Sequence, residues 1–250
     1  MKPMNEKHFA ILRRHMVDII AIHTDVMEDE LGKPVLDERV IAAMLRVPRH
    51  LCVPEPLASL AYEDRPLPIG FEKTISQPFM CALMTDLLAP DPADIILEVG
   101  TGLGYQTAIL AELVNHVWSV EIVEELAEGA QQHLSDLGYT NVDIRIGDGS
   151  RGWSDHAPYD KILVAASHEK IPDDLLEQLK PGGRLVYSVC TLTRAETSGV
   201  AEAFGKAHTE FEPVSLENKY GRAFTSAATV TIWPQDFGGN GMFVASWKRI

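Results

Sequence analysis

Apolar and polar positions divide the chain into two regimes. Over residues 6–30, Phe9, Leu12, Met16, Ile19, Ile20 and Ile22 recur at helical spacing. A second helical stretch covers about 37–47 through Val40, Ile41, Met44 and Leu45. Val47-Pro48 ends it, because the residue before proline disfavours the α region. Residues 53–78 are rich in Pro and Gly and read as loop, and Pro78 stands near a first helical position, which predicts a helix over 78–88.

From Asp94 the pattern alternates. Strands are predicted at Ile95–Val99, His116–Val120, Val142–Ile146, Tyr159–Ala165 and Arg184–Val189, with helices at Tyr105–Val114, about 123–137 and Pro172–Leu179. Gly100–Gly104 and Pro181-Gly182-Gly183 read as turns. Ala227–Trp233 and Met242–Trp247 are strand-like and joined by Pro234–Gly241, a hairpin that would add an antiparallel edge. The alternation implies an α/β fold with a largely parallel, doubly wound sheet, helices on both faces and an antiparallel last strand. Residues 1–90 are expected as an N-terminal helical and substrate-side segment over the ligand, and 91–250 as the core, the two forming one compact unit.

Composition narrows the function. With 250 residues, 46% of them hydrophobic and 23% charged, the chain is long enough for a substantial core. The 22 Lys+Arg against 36 Asp+Glu leave a net charge of −14. That argues against a protein that tracks nucleic-acid phosphates, whose affinity comes largely from Lys and Arg. Cys52, Cys81 and Cys190 share no CxxC spacing, so no metal knuckle or redox pair is readable and no metal site is expected. Reduced thiols, a start without an apolar leader and the absence of any run near the ~20 residues of a membrane span lead us to expect a cytoplasmic protein without a membrane partner.

The sharpest motif is Glu98-Val-Gly100-Thr-Gly102-Leu-Gly104, between a predicted strand and a predicted helix, where doubly wound sheets bind nucleotides. Glu121 closes the next strand, where a carboxylate can accept both ribose hydroxyls of an adenosine. Gly147-Asp148-Gly149 closes the third strand, within reach of an adenine amino group. Dinucleotide dehydrogenases use the related G-x-G-x-x-G. The G-x-G-x-G form here, with Glu98 two residues ahead, resembles the turn of Rossmann-like S-adenosylmethionine (SAM) methyltransferases, where the acidic residue can help hold the methionine amino group. The alternative is a nucleotide-free α/β domain with a glycine-rich turn.

Over residues 37–189 the chain resembles protein-L-isoaspartate O-methyltransferases. The matching pieces are Val47-Pro48-Arg49, Ala61-Tyr62-Glu63-Asp64, Leu67-Pro68-Ile69-Gly70, Thr74-Ile75-Ser76-Gln77-Pro78-Phe79-Met80, Leu97 through Thr107, Val120-Glu121 and Gly147-Asp148-Gly149. The Thr74–Met80 run is specific to that family. The resemblance implies SAM as cofactor and, as partner, an isoaspartyl-containing protein or peptide whose α-carboxylate is methylated, the ester then collapsing to a succinimide. It implies Ser76 as the active-site hydroxyl. It implies cofactor positions at Ile75, Glu98, Gly100, Thr101, Gly102, Gly104, Gln106, Thr107, Glu121, Ile122, Asp148 and Gly149. The residue chemistry agrees. A carboxylate with a pKa near ~4 is already ionised at pH 7 and needs no general base, so the protein must mainly align it. By residue type alone Ser76 also reads as a helix N-cap.

The resemblance stops after the fifth strand. Tyr187-Ser188-Val189-Cys190-Thr191-Leu192-Thr193-Arg194 stands where the family usually has a Pro-Val-Gly-like segment. This run and the end from Thr231 look more like RNA cytosine-C5 methyltransferases, but Ala165-Ala166-Ser167-His168 replaces the Pro-Cys pair of those enzymes. Cys190 therefore reads as a small buried residue, a pocket wall or a nucleophile, and His168 as a substrate-facing group or a solvated loop histidine. RNA cytosine methylation, a specialised carboxylate substrate and a non-catalytic SAM-binding domain are the competing functions.

Overall fold

The computed structural model describes residues 4–214, 229–237 and 241–250. Its N-terminal segment is α1 (Glu6–Val26), a short α2 (Glu28–Leu31) and α3 (Glu38–Arg46). Asn5 caps α1 by accepting from the His8 backbone N–H at 3.2 Å, and Asp37 caps α3 by accepting from Arg39 N at 2.8 Å. Residues 53–78 are not all loop. Two short 3-10 turns (Arg49–Leu51, Glu55–Leu60) precede a hairpin of β1 (Leu67–Gly70) and β2 (Lys73–Ile75). Its loop, Phe71-Glu72, has both φ angles positive, 53° and 57°. A hairpin loop of this kind ordinarily uses Asn-Gly. Left-handed conformation in other residues costs roughly 1–2 kcal/mol each, so composition gave no signal for the turn.

Helix α4 (Pro78–Leu88) is buried at all of its positions, as expected for a helix apolar on every side. After it come β3 (Ile95–Val99), α5 (Tyr105–Ala111), β4 (His116–Glu121), α6 (Glu124–Asp136), β5 (Val142–Ile146), β6 (Tyr159–Val164), α7 (Asp173–Glu177) and β7 (Leu179–Val189). All five expected strands are present. The predicted Pro181–Gly183 turn lies inside β7, where pairing with β6 jumps from Tyr159↔Leu179 to Lys161↔Arg184. Two elements went unread, α8 (Ser198–Ala207) and β8 (Phe211–Pro213). The terminal hairpin is present as β9 (Thr229–Ile232) and β10 (Met242–Arg249), with a one-turn helix α9 (Pro234–Phe237) between them. The expected strand start at Ala227 and part of the connecting loop lie outside the described residues.

The large sheet runs β5-β4-β3-β6-β7-β10-β8, with β9 also on β10. It is parallel from β5 to β7 and antiparallel at β10. The chain leaves β3 toward β4 and β5 and later returns beside β3 with β6. This reversal opens a crevice at the carboxyl ends of the central strands. One buried cluster joins Met16, Ile20, Met44 and Phe79 of the first 90 residues to Ile96, Leu163, Val186 and Val244 of the sheet. A second cluster fills the opposite face around Leu97, Tyr159, Tyr187, Phe204 and Trp247.

Because the N-terminal helices share a core with the sheet, they should not melt separately. Urea unfolding followed by far-UV circular dichroism and by tryptophan emission should give coincident single transitions. Met44→Ala, which empties a fully buried site in α3, should lower the stability of the whole protein by about 2–5 kcal/mol rather than that of one segment.

Candidate active site

A cavity of about 480 Å³ opens at the crevice. Its floor is the turn after β3. Gly100 has φ +100°, and a Cβ there would lie 2.9 Å from the Ala165 carbonyl oxygen, so a side chain would run into the backbone after β6. A Cβ on Gly149 would collide with Val99 Cγ1. Both positions therefore call for glycine, because the protein's own atoms occupy the place of a side chain.

Glu121 is 6% exposed at the end of β4 and lines the cavity. Its Oε2 accepts from Gly102 N at 2.8 Å and its Oε1 from Val123 N at 3.0 Å. The carboxylate thus ties the glycine turn to the start of α6 and keeps lone pairs for further donors. Beside it Ile122, an apolar side chain 66% exposed, lines the same cavity and offers a flat apolar contact for a planar ring. Asp148 accepts from Ser150 N at 2.9 Å, and that bond holds its carboxyl below the ordinary carboxylate range.

Glu98 lies behind the wall, with no exposed surface. Its Oε2 accepts from Thr107 Oγ1 and Ser119 Oγ, both at 2.6 Å, whereas Oε1 has no partner. Burial pushes its pKa up to about 7 against the pull of those two bonds, and Glu121 adds to the rise. Thr101 joins this cluster through Ser119 at 2.6 Å, and Gln106 donates to Thr85 Oγ1 at 2.8 Å. Of the expected cofactor positions, Gly100, Gly102, Glu121, Ile122, Asp148 and Gly149 are on the cavity wall. Ile75, Glu98, Thr101, Gly104, Gln106 and Thr107 are absent from it, and at Glu98, Thr101 and Thr107 the hydrogen bonds form one buried layer under the turn.

Ser76 lines the cavity at the junction of β2 and α4. It is not the N-cap of α4. That place is held by Gln77, and the free N–H of Phe79 is bound instead by Asp64 Oδ1 at 2.8 Å. Asp64 Oδ2 also accepts from Gln77 Nε2 at 2.8 Å and pairs with His23 of α1 at 2.8 Å. Arg49, with no exposed surface, donates to the Ser76 carbonyl and to the Ala61 carbonyl, both at 2.7 Å. Its guanidinium lies 4.7 Å from the Tyr105 ring centroid. Arg49 and Asp64 stood in the matching motifs, but nothing in their spacing told that they brace Ser76.

The remaining wall comes from the hairpin and from loops after β6 and β7. Ile69, Glu72, Lys73 and Thr74 line it, so the N-terminal segment enters through the hairpin rather than by laying its first three helices over the ligand. His168, Ser188, Cys190, Thr191 and Glu196 complete it. Ser167 Oγ donates to the Glu196 carboxylate, and the Tyr187 hydroxyl donates to the Glu196 carbonyl at 2.9 Å, which pins the two loops together. Cys190 is exposed on this wall, not buried at the strand end. Desolvation by the surrounding walls raises its thiol pKa. A thiol kept protonated is poorly suited to act as a nucleophile.

Sheet order, glycine floor and acidic strand end together define a Rossmann-like SAM-dependent methyltransferase. The family model described as protein-L-isoaspartate(D-aspartate) O-methyltransferase matches residues 22–214, and the chain belongs to that family. It is 56% identical over 183 residues to a protein-L-isoaspartate O-methyltransferase 1 of Polaromonas sp. strain JS666, covering 73% of this chain and 78% of the relative. It is 52% identical over 169 residues to a protein-L-isoaspartate O-methyltransferase of Gloeobacter violaceus, covering 67% and 82%. Among solved structures, a protein-L-isoaspartate O-methyltransferase superposes with TM-score 0.61 at 28% identity, over 73% of this chain and 57% of that one. NSun6 from Pyrococcus horikoshii, solved with SFG, has TM-score 0.54 at 18% identity over 73% and 56%, a likeness of fold alone.

The residues fit SAM. Gly100, Gly102 and Gly149 present backbone to the cavity, Glu121 retains acceptor capacity, Ile122 offers an apolar face and Glu98 keeps an unpartnered carboxyl oxygen. Glu121→Ala should weaken S-adenosylhomocysteine binding in calorimetry by about 1–3 kcal/mol, the cost of losing hydrogen bonds to a charged acceptor. Glu98 yields a stability test. Its pKa rises from the ordinary 4.5 to about 7, so the folded state holds the extra proton between those values. Its contribution to stability is therefore favourable at low pH and declines as pH climbs from about 4.5 through 7. Ligand-free Glu98→Gln should gain stability relative to the parent by on the order of 2 kcal/mol between pH 5 and pH 8. Parallel melting curves that never diverge across that range would contradict it.

Proposed function

We propose that the chain transfers the methyl group of SAM to the carboxylate of L-isoaspartyl residues in proteins or peptides. The observation that carries this reading is Ser76, held by its backbone within the Thr74–Met80 run and set on the wall of the cavity floored by the glycine turn.

When bound, SAM supplies an electrophilic methyl on a sulfonium, a pre-activated leaving group. The protein's task is alignment. A carboxylate enters ionised at neutral pH. The Ser76 hydroxyl donates a hydrogen bond that orients it. The side chains of Met84, Val99, Val189 and Met242 make part of the cavity apolar and strip water from the reacting oxygen. Glu98 and Glu121 supply negative charge beneath a cationic cofactor.

The partner we favour is a protein or peptide rather than a nucleic acid. The net charge of −14 opposes phosphate tracking, and Cys190 is held as a thiol. Among the described residues no helix is long and apolar enough to cross a membrane. The three free cysteines suit a reducing compartment, which supports a cytoplasmic location.

Methyl-labelled SAM offered with an isoaspartyl peptide, its aspartyl twin and a structured RNA tests the reading. Base-labile label should appear on the isoaspartyl peptide alone. Ser76→Ala should lower kcat/KM by about 10–100-fold, roughly 1.4–2.8 kcal/mol of transition-state stabilisation, with S-adenosylhomocysteine affinity unchanged. Base-stable label on RNA, lost in Cys190→Ser and kept in Ser76→Ala, would replace carboxyl methylation by the nucleic-acid reaction.

A further inference from the structure

A second hydroxyl on the cavity wall is not used by the mechanism above. Ser188, next to last in β7, is 3% exposed and lines the cavity. Its Oγ is buried and has no hydrogen-bond partner. Buried polar atoms without a partner are few in native proteins, and each calls for an explanation.

We propose that Ser188 Oγ donates a second hydrogen bond to the substrate carboxylate, so that two hydroxyls, Ser76 from the β2–α4 junction and Ser188 from β7, serve the two oxygens of one carboxylate. The inference rests on the carboxyl-methylation reading and deepens it. A serine in a strand moves readily between staggered χ1 wells, which is sufficient to re-aim the hydroxyl when an anion arrives. Two donors on one carboxylate fix its rotation as well as its position, and rotation decides which lone pair meets the methyl group. A carboxamide, with a single oxygen acceptor, fits such a pair poorly.

Ser246 supplies an internal comparison. Its Oγ is likewise buried without a partner, but Ser246 is not on the cavity wall. Register places both serines on the same face of the sheet, because Ser188 pairs with Val244 and Ser246 with Val186. If the two hydroxyls merely shared a buried water, their removal would have matching consequences.

The test compares Ser188→Ala, Ser246→Ala and Ser188→Thr in the full chain with an isoaspartyl peptide, its isoasparagine amide as inhibitor, and S-adenosylhomocysteine. Ser188→Ala should lower kcat/KM about tenfold, chiefly through KM, as for one lost hydrogen bond to a charged group. It should leave S-adenosylhomocysteine affinity and the melting temperature as they were or slightly raised, and should narrow the preference for carboxylate over amide. Ser188→Thr, which keeps the hydroxyl, should restore most of the activity, and Ser246→Ala should leave KM unchanged. An active parent whose KM is unaltered by Ser188→Ala, or equal effects of Ser188→Ala and Ser246→Ala, overturns this inference and leaves the function standing. A parent that methylates no isoaspartyl peptide overturns both.

Discussion

The site depends on how the backbone around Ser76 is fixed, and two buried charges fix it. Arg49 grips the Ser76 carbonyl at 2.7 Å, and Asp64 binds the N–H of Phe79 and the side chain of Gln77, both at 2.8 Å. Each charge also ties that segment to another part of the chain, Arg49 through the Ala61 carbonyl and Asp64 through His23. A buried charged group that loses its hydrogen-bond partners is left with its desolvation uncompensated, so the geometry resists drift. His23 carries the brace outward to α1 by pairing with Asp64. This explains why a reaction at the carboxyl ends of β3 to β7 needs a long N-terminal segment. No residue of α1, α2 or α3 lines the cavity, but His23 of α1 joins the brace that holds the Ser76 backbone.

A second constraint acts below the glycine turn. Glu98 and Glu121 end up near one another, one wholly buried and one at the wall, and their mutual repulsion adds to the desolvation that raises Glu98. Three side-chain hydroxyls relay through this layer, from Thr101 to Ser119 and from Ser119 and Thr107 to Glu98. Such an arrangement is uncomfortable without a cation and comfortable with one. Opposite charge within a few ångströms favours the ionised carboxylate, so a sulfonium or ammonium ligand stabilises the form that the empty protein disfavours. By the same rule, negative charge at Glu98 would favour a cationic nucleotide over the anionic pyrophosphate of a dinucleotide.

Much of the framework was legible because hydrophobic period and glycine placement act locally. The five parallel strands, α4 and the antiparallel β9–β10 edge follow from runs such as Ile95–Val99 that fit no other element. The hairpin Leu67–Ile75 escaped because its strands have four and three residues, contain Pro68 and are joined by Phe71-Glu72 where a glycine would have signalled the turn. Helix α8 buries Val200 and Phe204 as its only fully buried positions, a stripe too thin to stand out. In the site, Ser76, Glu121, Ile122 and Asp148 were legible by motif and reached the wall. The brace by Arg49 and Asp64 was not, since it joins residues 27 and 15 positions apart through a backbone carbonyl and a backbone N–H that sequence does not specify.

The altered end of the chain can be accommodated because the sheet, not the loop sequence, sets where the wall stands. Strand β10 lies antiparallel between β7 and β8, with Phe243 opposite Val189 and Val244 opposite Ser188. This register fixes the exit of β7, and with it the positions of Ser188, Cys190 and Thr191, whatever residues occupy them. Ser167 and Tyr187 then clamp Glu196, so the loop after β7 cannot swing away from the loop after β6. Substitution within such a frame changes the chemistry offered to the substrate while leaving the cofactor floor alone.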